Sequence, residues 1–158
     1  MTSRLPHGEP AGLLPDQVQV WTVALKASES TMAELCDALS VDEQRRAERF
    51  RFERLQQRYV LTRGILRYLL SWYVGCRPRD LVFSYSSKGK PSISGILPVQ
   101  FNVAHSFNIA VYAFAVGCEL GVDVEQVRPL KDCEAMANRF FCPAEVAELL
   151  SLPQEDRG

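Results

Sequence analysis

The segment from Ser40 to Gly75 sets the strongest limit on the fold. Ser40 followed three residues later by Glu43 is a capping-box signature, in which side chain and backbone satisfy each other's polar groups at a helix start. Apolar residues then recur at roughly helical spacing through Ala47, Phe50, Leu55, Tyr59, Leu66, Leu69, Leu70 and Tyr73. The pattern predicts a long helical region with a break near Phe50–Phe52. Gly75 ends it, and Pro78 prevents its continuation. A helix with such a stripe must bury it against other elements.

Those elements read as strands. Val18 to Leu25 alternates and contains β-branched residues and Trp21, which predicts a first strand. Ser28 to Leu39 reads as a short helix, and Leu81 to Ser86 as another strand. Gln100 to Ser106 and Ile109 to Val116 read as an antiparallel pair joined around Phe107–Asn108. Gly117 to Glu119 turns the chain into an expected strand from Leu120 to Val127. Lys131 to Arg139 and Pro143 to Leu150 read as helices, the second begun by Pro143 at its first position. Trp21, Trp72, Phe83 and Tyr85 read as core. The fold class expected is α+β, a mostly antiparallel sheet packed on a long helix. Strand, loop and helical segments of Val18 to Tyr73 recur faintly from Leu120 to Leu150. The expected organisation is a flexible lead-in (1–16), one complete lobe (17–117) and the beginning of an incomplete second lobe (118–158). A single domain with a terminal helix pair is the alternative.

Composition narrows the function classes. The 158 residues suit about one domain, and a net charge of −1 gives no global pull toward nucleic acid or membrane. Five cysteines without a C-x-x-C pair support neither a zinc site nor a disulfide framework, and suit a reducing cytoplasm. The longest apolar stretch, Ile109 to Val116, is too short to span a bilayer, and the N-terminus carries no run resembling a signal peptide. Charge is unevenly placed: eight of fourteen arginines fall between Arg45 and Arg67, where Glu48 and Glu53 are the acids counted against them. Arginine forks bind phosphate oxygens, so a polyanion is a sensible partner. The plainer reading is a solvated helix face with arginines snorkelling over apolar surface.

Three short segments carry candidate chemistry. In Gly121-Val122-Asp123-Val124-Glu125, the two acids fall on one face of an extended chain and the two valines on the other. Neighbouring carboxylates repel, and a hard cation such as Mg²⁺ relieves the repulsion. A polar face of an exposed strand is the alternative. His105 ends a strand between Ala104 and Ser106, where it can donate to a phosphate, act as acid or base, or serve structure alone. Lys88 and Lys90 sit on the Ser87–Pro91 turn, where backbone can approach a ligand closely.

Taken in order, Lys88-Gly89-Lys90-Pro91, Phe101-Asn102-Val103-Ala104-His105-Ser106, Gly121-Val122-Asp123-Val124-Glu125 and Arg139-Phe140-Phe141 with Glu145 resemble the 4′-phosphopantetheinyl transferase superfamily, Sfp type. The arginine-rich segment ending Thr62-Arg63-Gly64-Ile65-Leu66-Arg67 fits the same family, and the resemblance covers roughly Leu39 to Leu150. It implies a pseudo-dimer of two similar α/β lobes. It also implies transfer of the phosphopantetheine arm of coenzyme A to a serine of an apo acyl or peptidyl carrier protein. By the same resemblance Asp123 and Glu125 bind Mg²⁺, and His105 contacts the phosphate region of the nucleotide. Lys90 lies near the adenosine, with Lys88 beside it, and Arg58 and Arg46 are weaker matches in the arginine-rich segment.

Two departures qualify the resemblance. Ala104 stands where the family usually has Ser or Thr, removing one hydroxyl and a hydrogen bond of about 1 kcal/mol. The family's W-x-x-K-E helix, with its third metal ligand and base, does not occur before Gly158. The expectation is therefore a fragment of a transferase, or a short homologue that self-associates or takes a complementing chain, with little turnover alone. The alternative function is a non-catalytic module binding coenzyme A or a carrier protein. Nucleic-acid binding through the arginines is the weakest option, and no membrane partner is expected.

Overall fold

The computed structural model describes residues 12–87, 89–93, 99–130 and 132–157; of the lead-in expected over 1–16, residues 1–11 lie outside them. The chain divides into two compact units, Met1–Glu125 and Gln126–Gly158.

The first unit runs β1 (Val18–Ala24), α1 (Glu29–Asp37), α2 (Val41–Glu48), α3 (Glu53–Val74), β2 (Phe83–Tyr85), β3 (Pro91–Ile93), β4 (Val99–Ser106) and β5 (Ile109–Val116). An antiparallel sheet has the order β1-β5-β4. Its central strand, β5, is apolar throughout and almost wholly buried, as a strand with neighbours on both edges should be. Tyr112 pairs with Trp21 on one side and Val103 on the other, so these three share a face. That face meets α3. The Tyr73 ring packs 4.8 Å from that of Phe114, and the Tyr112 hydroxyl donates to the Thr62 carbonyl at 3.1 Å. Leu35, Leu39, Ile65, Leu69 and Leu70 fill the core between helices and sheet.

The long helical region is two helices. The Ser40–Glu43 capping box forms as expected and starts α2. An extended Phe52 separates α2 from α3, at the expected break. Gly75 ends α3 in the left-handed conformation (φ 71°), which glycine adopts without steric cost. Gly64 lets α1 come close: a Cβ there would lie 2.8 Å from Leu35 Cβ.

Two strand expectations need correction. The one over Leu81–Ser86 shrinks to Phe83–Tyr85, because the Leu81 carbonyl accepts from Arg67 Nη1 at 3.1 Å instead of joining a ladder. The one over Leu120–Val127 does not form. The Val122 N–H donates to Asn102 Oδ1 at 3.3 Å, and the Val124 N–H to Asp123 Oδ1 at 2.9 Å, so side chains take the bonds a partner strand would need.

The second unit holds α4 (Cys133–Phe140) and α5 (Pro143–Ser151). Pro143 opens α5, and the Cys142 N–H donates to Glu145 at 2.8 Å. That bond holds the Glu145 carboxyl below the usual carboxylate range and assigns it to a helix start. Arg157 donates to Glu134 at 2.6 Å. Among the described residues no helix is long and apolar enough to cross a membrane.

Candidate functional site

A cleft of ≈ 210 Å³ opens between α3, the β2–β3 hairpin and β4. Its walls are Tyr59, Thr62, Arg63 and Leu66 from α3, Pro91 from β3, and Val103 and His105 from β4. The four helix residues follow an i, i+3, i+4, i+7 spacing and so share one side of α3. Val103 and His105 are two apart on β4 and share one side of the strand. The exposed imidazole of His105 reaches the rim. Beside Pro91, the turn closes by bonds from the Gly89 N–H to the Ser86 carbonyl (2.9 Å) and from the Lys90 N–H to Ser86 Oγ (3.0 Å).

The acid-bearing segment is tied to β4 and to the hairpin turn without a ladder. Lys90 Nζ donates to the Leu120 carbonyl at 3.4 Å, Asn102 receives the Val122 N–H, and Ser106 Oγ donates to Glu125 Oε2 at 3.2 Å. Each tether starts from β4 or from the end of the hairpin turn. Along the segment Val122 and Val124 are half-buried and Asp123 and Glu125 are exposed. Among the described residues no group of three or more His, Cys, Asp or Glu side chains could hold a metal ion. Two carboxylates alone could supply only part of an oxygen shell, the kind of partial set that suits a cation keeping waters and taking phosphate oxygens.

Residues 23–116 match the family described as 4′-phosphopantetheinyl transferase, N-terminal. The chain belongs to the 4′-phosphopantetheinyl transferase family. It is 40% identical over 159 residues to the 4′-phosphopantetheinyl transferase HetI of Nostoc sp. (strain PCC 7120), covering 97% of this chain and 66% of HetI. It is 26% identical over 119 residues to the 4′-phosphopantetheinyl transferase Sfp of Bacillus subtilis (strain 168), covering 75% of this chain and 52% of Sfp. The chain thus spans between half and two thirds of these relatives. A holo-(acyl-carrier-protein) synthase from Bacillus anthracis str. Ames, in complex with CoA (3′,5′-ADP), gives a TM-score of 0.44 at 18% identity over 63% of this chain and 93% of that one.

Within the family frame, the candidate residues divide. His105 lines the cleft, and Lys90 precedes Pro91 in its wall. Lys90 and the segment bearing Asp123 and Glu125 are joined through Leu120. Arg46 is exposed, its guanidinium 5.5 Å from the centre of the Tyr59 ring at the cleft. Arg58 lies one turn before Thr62 on α3, and its carbonyl accepts from Thr62 Oγ1 at 2.9 Å. Lys88 lies outside the described residues.

The sequence reading overlooked a charge network beside the cleft. Arg67 is 1% exposed; its Nε donates to Glu43 Oε2 at 2.6 Å and its Nη1 to the Pro78 carbonyl at 2.6 Å. Arg63 donates through Nε to the other Glu43 oxygen and through Nη2 to the Tyr85 hydroxyl at 2.5 Å. Burial alone would raise the Glu43 pKa, but the Arg67 hydrogen bond and the Arg63 charge outweigh it and hold the carboxyl below its ordinary value. These two arginines are neither a solvated face nor free phosphate ligands, and their counter-charge is Glu43 rather than Glu48 or Glu53. The available signal was an arginine inside an apolar stripe, at Arg67 between Leu66 and Leu69, which demands a buried acid. Tyr85, expected in the core, is 54% exposed.

Proposed function

We propose that this chain carries the coenzyme A-binding part of a 4′-phosphopantetheinyl transferase. In the proposed reaction a serine hydroxyl of an apo acyl or peptidyl carrier protein gives up its proton to solvent or a base as its oxygen bonds to the phosphorus bearing the pantetheine. The bond from that phosphorus to the adenosine bisphosphate breaks, and adenosine 3′,5′-bisphosphate leaves. The observation that carries this reading is the tethering of the Leu120–Glu125 segment to β4 and the hairpin turn, which holds two exposed acids against the same strand and turn that supply His105 and Pro91 to the cleft.

Coenzyme A brings a diphosphate and a 3′-phosphate. Asp123 and Glu125 repel such a ligand unless a divalent cation lies between, and two hard carboxylates two residues apart fit Mg²⁺. When bound, Mg²⁺ neutralises diphosphate charge and polarises the phosphoryl group. Ser106 orients the Glu125 carboxylate, and Asn102 fixes the backbone between the acids and β4. Lys90, with Lys88, supplies positive charge to the nucleotide, His105 donates to its phosphates, and Arg46 and Arg58 add charge at the α3 side. Five unpaired cysteines support the cytoplasm as the compartment.

Calorimetry with coenzyme A tests the reading. Binding should appear with Mg²⁺, and Asp123→Ala should weaken it by about tenfold, or ~1.4 kcal/mol; in EDTA the variant and parent should match. Absence of coenzyme A binding with and without Mg²⁺ sinks the proposal. Transfer of label from coenzyme A to an apo carrier protein separates catalysis from capture, and binding without transfer favours the non-catalytic module. Light scattering on the same preparation tests self-association.

A further inference from the structure

The β2–β3 hairpin carries Lys90 at the end of its turn, yet it has little support of its own. It contains three residue pairs, Phe83–Ile93, Ser84–Ser92 and Tyr85–Pro91, and pairs with no other strand among the described residues. A hairpin of that size is marginal in water unless something packs on it. Side chains from outside the hairpin hold one face of β2. Phe83 meets Phe101 edge-on at 6.0 Å, and the Arg63 guanidinium lies 3.8 Å from the centre of the Phe83 ring. Phe83 and Tyr85 are two apart and share that face. Arg63 spans both, stacking on the first ring and donating to the hydroxyl of the second. Its other end is fixed by Glu43.

We propose that Arg63 is a positioning residue for the cleft: it clamps the Phe83–Tyr85 face and so sets how far the Lys90 turn stands from His105 on β4. The proposal rests on the reading of this cleft as a coenzyme A site. Two of the guanidinium's five donors, Nε and one on Nη2, are committed to Glu43 and Tyr85, and the side chain is 10% exposed, so its fixed contacts are to the protein. A lysine in its place keeps the charge but loses the planar fork that stacks and donates in two directions.

The test uses Arg63→Lys, Tyr85→Phe and the double variant. Three quantities are read: coenzyme A affinity with Mg²⁺, amide hydrogen exchange of β2 and β3, and melting temperature. Tyr85→Phe should weaken binding by about fivefold and Arg63→Lys by about tenfold, with the double variant no weaker than Arg63→Lys, because both changes release one clamp. Exchange should quicken in β2 and β3 and stay unchanged in β4 and β5. Tyr85→Phe leaves the Glu43–Arg63 pair intact, so it keeps the test open if Arg63→Lys does not fold. Parent-like binding and exchange in Tyr85→Phe overturn the clamp, as does weaker binding in Arg63→Lys with unchanged hairpin exchange, which would mean direct contact with the ligand. If the parent itself fails to bind coenzyme A, the functional reading falls, and the hairpin exchange of the variants still decides the clamp.

Discussion

Arg67 Nε donates to Glu43 Oε2 at 2.6 Å, joining α3 to α2 across 24 residues of chain. The same oxygen accepts the Ser40 N–H at 3.0 Å, and the other oxygen takes Arg63. One carboxylate therefore completes a helix start, neutralises a buried guanidinium and steadies the wall of the cleft. Glu43→Gln keeps the shape but leaves two arginines facing an amide. Removing one partner of a buried pair typically costs about 3–5 kcal/mol, because the remaining charge stays desolvated. Urea denaturation should show a loss in that range; a loss under about 1 kcal/mol would mean that water reaches the pair freely.

The same group predicts an acid limb. The folded pKa of Glu43 lies below its ordinary value of 4.5, so its contribution to stability is fully present above pH 4.5. It is lost as the pH falls from 4.5 through the folded value, where the carboxylate takes a proton and releases the arginines. Melting temperature measured downward from pH 6 should drop more steeply below 4.5 for the parent than for Glu43→Gln. Parallel curves for the two proteins would remove Glu43 as the cause.

Gly64→Ala should destabilise, although alanine is the better helix former by about 1 kcal/mol. The added Cβ would sit 2.8 Å from Leu35 Cβ and 2.9 Å from the Leu35 carbonyl oxygen. Neither atom can swing away as a flexible side-chain end does, so α1 must shift from α3. Overpacking of this kind costs about 1–3 kcal/mol. A melting temperature at or above the parent's would show that the α1–α3 contact is looser than described.

What the sequence revealed and what it hid follow one division. The Ser40–Glu43 cap, the break before Phe52, the Gly75 stop and the β4–β5 pair all depend on residues close in sequence, where spacing is informative. The second task of Glu43 depends on arginines 20 and 24 residues away, and no local period reports that distance. The alternation of Gly121–Glu125 correctly separated exposed acids from half-buried valines. It could not say whether a strand lay alongside, because alternation records faces and not hydrogen-bond partners. Tyr85 was misread for a related reason: an aromatic residue in a three-residue hairpin strand packs on whatever guanidinium reaches it.

Asn102 offers a way to move the two acids without touching them. Its Oδ1 accepts the Val122 N–H at 3.3 Å, one residue before Asp123, and it is the β4 side chain that fixes the backbone there. Asn102→Ala removes that acceptor and leaves the segment held by Lys90 at one end and Ser106 at the other. On the proposed function, the carboxylates then share a cation less well, and the loss of one hydrogen bond of about 1 kcal/mol corresponds to roughly fivefold weaker Mg²⁺-dependent coenzyme A binding. Binding measured in EDTA should not change, because His105, Lys90 and the cleft walls are left in place. Melting temperature should change little, since the segment lies at the surface. Equal weakening with and without Mg²⁺ would assign Asn102 to the cleft itself and detach it from the acids.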